Sequence, residues 1–166
     1  MKTAIFYASS TGNTSNIANL IGEKLDISDI YDIADVSLEK IAEYNNVILG
    51  VSTWGDGDLQ DDWDDNIKEL NSIDFSSKTV AMFGLGDQDG YPDTYLDALG
   101  ILYEEVKKLG ANVIGEWDVD DSYNFDESKA VLDNKFVGLA LDEDSQDDLT
   151  NQRVEEWSSI IKNNFN

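Results

Sequence analysis

Short runs of apolar residues recur along the chain, and each is followed by a stretch with the apolar spacing of a helix. Ala4–Tyr7 and Val47–Val51 are continuous apolar runs of strand length, and Thr79–Gly84 is apolar after its first residue. Such runs are typical of strands buried on both faces of a parallel sheet. The helical pattern after the first run extends over Asn13–Leu25. Because strands alternate with helices, the sequence predicts an α/β fold, with a doubly wound five-stranded parallel sheet and helices on both faces.

The two remaining strands are less regular. Asp29–Ile33 alternates polar and apolar residues, which predicts a strand near the edge of the sheet. Asn112–Gly115 begins the last strand, and we expect Phe136–Leu141 to continue it after the polar stretch Asp118–Lys135. The chain has no internal repeat and no low-complexity linker, so residues 1–166 are expected to form a single domain.

Three loops that leave the carboxyl ends of strands have an unusual composition. They are Ser9–Thr14, Ser52–Asp58 and Leu85–Tyr91, and each is rich in glycine, hydroxyl or acidic residues. In an open α/β sheet, the ligand binds at this edge, where the order of the strands reverses. We therefore expect the three loops to converge on one binding site.

The first loop, Ser9–Thr14, ends where a helix begins, and its chemistry suits a phosphate. Unpaired N–H groups and the positive end of the helix dipole meet at such a place. The loop has no P-loop or G-x-G-x-x-G motif and no lysine or arginine. Its candidate ligands are the hydroxyl groups of Ser9, Ser10, Thr11 and Thr14 and the N–H groups around Gly12 and Asn13. The alternative is that these residues only cap the helix, since serine and threonine are favoured caps.

The second and third loops each carry one large aromatic residue, Trp54 and Tyr91, that no helix or strand pattern explains. Two aromatic side chains across a gap form a slot for a flat ring, and each stacking contact contributes about 1 kcal/mol. Alternatively, either side chain folds back onto the core as an ordinary loop residue. A phosphate loop and a ring slot at one edge of the sheet predict a phosphorylated aromatic cofactor.

The charge balance and the missing residue types exclude several functions. The chain has no cysteine and no histidine, so it lacks a thiolate nucleophile, cysteine-ligated clusters and the commonest general base. Its 11 basic and 35 acidic residues give a net charge of −24, which repels nucleic acid and anionic membranes. This charge fits salt adaptation and solubility, or steering toward basic partners. We find no signal peptide or membrane span in the sequence and expect a cytoplasmic monomer.

The three loops together resemble those of the flavodoxins. Tyr7–Thr14, with Thr11-Gly12-Asn13-Thr14, resembles the family's phosphate loop, whose pattern is T/S-x-T-G-x-T. Ser52–Asp56 resembles the second flavin loop, and Gly86–Tyr91 resembles the third. Gly138–Asp144 is similar to a segment near the C-terminus of the long-chain members, which interrupt the last strand with an insertion of about this size. By resemblance, the chain is identified as a long-chain flavodoxin with the flavodoxin-like fold.

The resemblance implies non-covalently bound FMN and a low-potential, one-electron carrier that cycles between semiquinone and hydroquinone in place of ferredoxin. Ser9–Thr14 would hold the phosphate, Trp54 would stack on the inner face of the isoalloxazine ring, and Tyr91 would stack on the outer face. Backbone groups of the second and third loops would meet the polar edges of the ring, and the cofactor-binding residues there would be Ser52, Thr53, Gly55, Asp56, Leu85, Gly86 and Asp87. The resemblance implies an electron-transfer protein rather than an enzyme, and no metal. Its partners would be redox proteins with basic docking faces, namely a flavodoxin or ferredoxin reductase and low-potential acceptor enzymes.

Two features of these loops bear on redox chemistry. Uptake of one electron and one proton creates an N–H donor at N5 of the flavin, and a flip of the Gly55–Asp56 peptide would offer it a carbonyl, because glycine permits the change in φ. Many long-chain members carry a bulkier residue after the tryptophan, so Gly55 is a departure from their pattern. The three loops contain no basic residue, so the anionic hydroquinone is disfavoured and the second potential is expected to be low.

Three other functions share parts of this pattern. An FMN-dependent reductase of the same fold, acting on quinones or azo dyes with NAD(P)H, would need a substrate pocket and a nicotinamide site. A phosphate-accepting signalling domain would need an acidic pair where this chain has Ser9 and Ser10, and a lysine after the fifth strand. No residue favours a structural or FMN-storage protein. The loops favour the electron carrier.

Overall fold

The computed structural model describes residues 2–165, which form ten strands and four α-helices. The strands are β1 (Thr3–Tyr7), β2 (Ile30–Asp32), β3 (Asn46–Trp54), β4 (Asp58–Leu59), β5 (Thr79–Leu85), β6 (Asn112–Ile114), β7 (Trp117–Asp118), β8 (Val131–Leu132), β9 (Lys135–Phe136) and β10 (Leu139–Leu141). The helices are α1 (Asn13–Leu25), α2 (Asp61–Asn66), α3 (Asp97–Lys108) and α4 (Thr150–Lys162), with short 3₁₀ helices at Leu38–Glu43, Ile67–Ser72 and Asp147–Leu149.

The main strands of the central sheet are parallel, as predicted, with β2 at one edge followed by β1, β3 and β5. Beyond β5, the last strand position is shared by two segments, because β6 pairs with the first half of β5 and β10 with its second half. The predicted interruption of the last strand is therefore confirmed. The prediction that Phe136 belongs to its continuation is wrong, since Phe136 pairs with Trp117 and Val131 in a separate small sheet.

Helices cover both faces of the sheet, as predicted. Along β1, Ala4 and Phe6 point into one apolar cluster and Ile5 points into the other, because successive side chains of a strand face opposite sides. The first cluster includes the apolar stripe of α3, and the second includes those of α1 and α4. Burial of strands on both faces explains why their sequences are apolar without alternation.

The stretch between β6 and β10 folds into a three-stranded antiparallel sheet of β7, β9 and β8. It is fastened to the main fold through Tyr123, whose hydroxyl accepts from the Trp117 indole N–H at 2.8 Å and donates to the Ala140 carbonyl at 2.7 Å. The rings of Tyr95, Tyr123 and Phe136 pack against one another in the first apolar cluster. This insertion therefore contributes to the core.

No helix within residues 2–165 combines the length and the apolar composition needed to cross a bilayer.

Alkaline pH is expected to destabilise the protein through its buried tyrosines. Burial raises the pKa of Tyr95 and Tyr123 above the ordinary value of 10.0. Above that pH, the unfolded chain releases the phenolic protons while the folded chain retains them, so the free energy of unfolding falls by about 1.4 kcal/mol per pH unit for each tyrosine. Urea unfolding measured from neutral to strongly alkaline pH checks this. The Tyr95→Phe variant should show a shallower decline, and a free energy of unfolding that stays level above pH 10 would contradict the prediction.

Candidate functional site

One cavity lies where the three predicted loops meet, at the carboxyl ends of β1, β3 and β5. Its volume is about 480 Å³, within the range of small-molecule sites. It is lined by Ser10, Thr11, Asn13, Thr14, Ser52, Thr53, Trp54, Gly55, Leu85, Gly86, Asp87, Tyr91, Glu143 and Asp144. The convergence of the three loops at this edge is therefore confirmed.

The first loop presents the N-terminus of α1 to this cavity. The helix begins after Gly12, which has a φ of 93° and gives no side-chain cap, and its first turn contains no acidic residue. The first N–H groups of α1 therefore have no capping side chain and no carboxylate within their own turn. Four hydroxyl or amide side chains of the loop line the cavity beside these N–H groups, namely those of Ser10, Thr11, Asn13 and Thr14. This donor set suits an anion such as a phosphate.

Two residues hold the loop in shape without lining the cavity. The hydroxyl of Ser9 accepts a hydrogen bond from the Gly12 N–H at 3.0 Å, which stabilises the turn before α1. The amide of Gln60 is 2% exposed, and its Nε2 donates to the Ser10 hydroxyl at 3.0 Å. Its Oε1 accepts from the N–H groups of Asp62 and Trp63 at the start of α2. Sequence reasoning missed Gln60, because a glutamine in a polar stretch gives no sign of being buried.

The aromatic side chains of the second and third loops are exposed at the cavity. The exposed fraction is 42% for Trp54 and 44% for Tyr91, so neither ring is folded onto the core. The indole N–H of Trp54 donates to the Ser52 hydroxyl at 2.9 Å. An exposed ring that is fixed at its polar end is suited to stacking against a flat ligand.

A tight antiparallel turn shapes the second loop. Trp54 pairs with Asp58 and Thr53 with Leu59, so β4 folds back on the end of β3. Gly55 and Gly57 in this turn have φ values of 51° and 91°, a conformation that favours glycine. The sequence predicted the loop but gave no sign of β4, which is only two residues long.

A buried carboxylate, that of Asp142, holds the third loop in place through a hydrogen bond. Asp142 is fully buried, and one of its oxygens accepts from the Gln88 N–H at 3.1 Å. The other accepts from the N–H groups of Asp144 and Ser145. Within the loop, the Asp87 carboxylate accepts from the Gly90 N–H at 2.9 Å, and its carbonyl accepts from the Tyr91 N–H. These bonds fix the turn that carries Tyr91.

Acidic side chains dominate the charge of the site. Asp87, Glu143 and Asp144 line the cavity, and none of the described residues in its lining is basic. Carboxylate oxygens of Asp87, Asp142 and Asp144 lie within 4.8 Å of one another. Burial and the neighbouring carboxylates raise the pKa of Asp144 above its usual range. Sequence reasoning missed Glu143 and Asp144 as site residues, although both follow the last strand.

Most of the predicted residues lie together in the cavity, and three do not line it. Ser9, Gly12 and Asp56 belong to the loops but are absent from its lining. The remaining hydrogen-bond donors of the first loop fit the phosphate of a phosphorylated aromatic cofactor. The two exposed rings and the backbone of the second and third loops fit its aromatic ring.

Comparisons with known proteins agree with this geometry. The family model described as flavodoxin matches residues 5–157. A flavodoxin of Synechocystis is 46% identical over 164 residues, which cover 97% of this chain and 96% of that protein. Flavodoxin 1 of Escherichia coli is 46% identical over 162 residues, covering 96% and 92%. The crystal structure of Fusobacterium nucleatum flavodoxin bound to flavin mononucleotide superposes with a TM-score of 0.93 at 34% identity, with full coverage of both chains. This chain therefore belongs to the flavodoxin family.

Proposed function

We propose that this chain binds FMN non-covalently between the three loops and carries single electrons between redox proteins. The observation that carries the proposal is the shared cavity: the uncapped, acid-free N-terminus of α1 lines the same space as two exposed aromatic rings. Bound FMN supplies the redox chemistry, since its ring accepts and releases electrons singly. The chain supplies binding, orientation and charge.

The hydroxyl groups and N–H groups of Ser9–Thr14 would hold the phosphate. Trp54 and Tyr91 would cover the two faces of the ring, and backbone groups of Ser52–Asp56 and Leu85–Asp87 would meet its polar edges. The exposure of both aromatic side chains supports this assignment, because an apolar ring left in water gains from stacking on a ligand. Ser9 would act through the turn that it stabilises, since it does not line the cavity.

We further propose that the carrier works at low potential, between its one-electron-reduced and two-electron-reduced forms, in place of ferredoxin. Three acidic side chains and no basic one line the cavity. An additional negative charge on the cofactor is therefore opposed by the site rather than stabilised by it. The split last strand and its inserted sheet support placement in the long-chain branch of the family.

The partners we propose are reductases and low-potential acceptor enzymes that present basic faces near Trp54 and Tyr91. The net charge of −24 supports this choice, because complementary charge accelerates encounter and salt weakens it. The same charge opposes association of two copies, which supports a monomer.

Stepwise anaerobic reduction of the FMN-loaded protein, followed by visible spectroscopy, tests the proposed function. We expect an intermediate spectrum of one-electron-reduced FMN before the cofactor is fully reduced. NAD(P)H added alone should be consumed slowly or not at all. Direct two-electron bleaching, with rapid NAD(P)H turnover, would instead indicate a flavin reductase.

Replacing Gly55 with valine is expected to lower the largest amount of one-electron-reduced protein reached in this titration. Gly55 has a φ of 51°, and a β-branched residue restricts both this conformation and any rotation of the Gly55–Asp56 peptide. The Asp56→Ala variant keeps the glycine and serves as the control. An equal amount of the intermediate in Gly55→Val and the parent would show that the peptide does not move.

A further inference from the structure

A second groove lies on the side of the molecule formed by the inserted sheet and the end of α4. Its main part has a volume of about 520 Å³, with Phe136 buried at its base and Leu132, Ile160 and Asn164 in its walls. A smaller cavity of about 400 Å³ shares Glu116, Lys135 and Ile160 with it, so the two form one continuous groove. In the part of the chain that the structure describes, no residue lines both this groove and the cavity between the three loops.

The groove carries two exposed apolar side chains. In residues 2–165, four large apolar side chains are exposed, and they fall into two pairs. Trp54 and Tyr91 form the pair at the candidate flavin site, whereas Leu132 (46% exposed) and Ile160 (43%) line this groove. Large apolar side chains gathered on a surface mark places where another molecule binds.

The hairpin of β8 and β9 holds Leu132 in this exposed position. Asp133 and Asn134 in the turn have φ values of 52° and 64°, as in a tight two-residue hairpin turn. Leu132 pairs with Lys135, and the preceding Val131 packs against the core. Because side chains alternate along a strand, Leu132 must then face outward. The apolar contact surface is therefore preformed.

The rim of the groove is acidic. Glu116, Asp118, Asp120, Asp133 and Glu156 line it, together with one basic residue, Lys135. Lys135 lies 3.8 Å from the Glu116 carboxylate and 3.5 Å from that of Asp118, so its charge is already offset. The remaining carboxylates leave a negative rim around an apolar base. A second copy of the chain, itself at −24, has the wrong sign of charge to bind there.

We propose that this groove is a docking surface for a partner protein that presents a basic amphipathic segment. Apolar side chains of the segment contact Leu132 and Ile160, and its lysine or arginine residues meet the acidic rim. Apolar contact and complementary charge together select such a segment over a neutral or acidic one. The proposal does not depend on FMN binding, and its test contains no redox measurement.

The test uses the FMN-loaded protein, labelled with ¹⁵N, and a short synthetic amphipathic peptide of leucine and lysine. We expect amide shift changes concentrated at Leu132–Lys135 and in the last turns of α4. Replacing both Leu132 and Ile160 with serine should weaken binding about tenfold, in line with the loss of two aliphatic contacts. The control variant is Ile101→Ser, on α3 and outside the groove, which should bind as the parent does. A control peptide with serine in place of leucine should bind to the parent protein at least as weakly as the leucine–lysine peptide binds to the double variant.

Three results would overturn the proposal. Shift changes spread over the whole acidic surface, or an unchanged affinity of the double variant, would show that the peptide is attracted by net charge alone. Shift changes centred on Trp54 and Tyr91 would place docking at the other site. Concentration-dependent dimers that disappear in the double variant would identify a second copy as the occupant. Unchanged circular dichroism of the variants ensures that each result reports binding.

Discussion

Replacing Thr14 with valine is expected to weaken FMN binding about 10- to 100-fold, since a hydrogen bond to a charged group contributes about 1.5–3 kcal/mol. Thr14 lies in the first turn of α1, is 2% exposed and lines the cavity. Valine keeps the shape of the side chain and removes only the hydroxyl. Among residues 2–165, no lysine, arginine or histidine lines the cavity to compensate, so the loss should appear in full.

Riboflavin separates a lost phosphate contact from general damage to the site. It carries the same ring as FMN without the phosphate, so its affinity should be equal in Thr14→Val and the parent. Ser15→Ala is the matched control, because the Ser15 hydroxyl donates to the Tyr7 hydroxyl at 3.2 Å and lies outside the cavity lining. Fluorescence titration of the cofactor-free parent and of both variants with FMN and with riboflavin gives the affinities to compare. Equal weakening of FMN and riboflavin would show that Thr14 acts on the shape of the site and not on a phosphate.

The central strands of the main sheet could be predicted because they are buried on both faces. Val47–Val51, inside β3, and Val80–Gly84, inside β5, are apolar throughout, and helical spacing over Asn13–Leu25 matches α1. The small strands could not be predicted. β4 and β7–β9 have two residues each, too few for a period to appear, and their positions depend on partners distant in sequence.

Phe136 was assigned to the last strand of the main sheet because it belongs to an apolar stretch, but it lies in the small inserted sheet. Phe136–Leu141 is one apolar stretch, and the sequence offers no break within it. In the structure, Phe136 is buried in the inserted sheet, and the main sheet resumes only at Leu139. Both environments select apolar residues, so the apolar stretch alone did not show which sheet Phe136 joins.

The composition of the loops predicted those site residues that lie in the three loops after β1, β3 and β5. Trp54 and Tyr91 stood out because no helix or strand pattern accounted for them. Gln60, Glu143 and Asp144 did not, since polar and acidic residues are common throughout a chain with 35 acids. Their positions depend on the packing of α2 and β10 against the loops, which is a property of the tertiary structure.

Replacing Gly138 with alanine is expected to lower the free energy of unfolding by about 3 kcal/mol or more, at the upper end of overpacking effects. A Cβ at this position would lie 2.1 Å from the Met82 carbonyl oxygen. The obstacle is the backbone of β5 in the middle of the sheet, so no rotamer change can relieve it. Gly138 directly precedes β10, and it is therefore the point at which the inserted segment returns to the sheet.

Gly84→Ala is the matched control, because its Cβ would also meet a neighbour, at 3.1 Å from the Leu99 side chain on α3. A side chain can shift by a few tenths of an ångström, so we expect this variant to lose about 1 kcal/mol or less. Urea unfolding of both variants and the parent gives the two differences. Equal losses would show that the return of the chain at Gly138 is not constrained by β5.

The Gly138→Ala variant also tests how the inserted segment is linked to the candidate site. β10 runs directly into Asp142, which anchors the third loop through Gln88, and into Glu143 and Asp144 in the cavity lining. A displacement of β10 away from Met82 must therefore move these groups. We expect folded Gly138→Ala to bind both FMN and riboflavin more weakly, because Asp142 anchors the third loop, which is proposed to meet the ring that both ligands carry. This loss would differ from the phosphate-selective loss in Thr14→Val. Parent-like affinity for both ligands would show that the third loop keeps its position independently of β10.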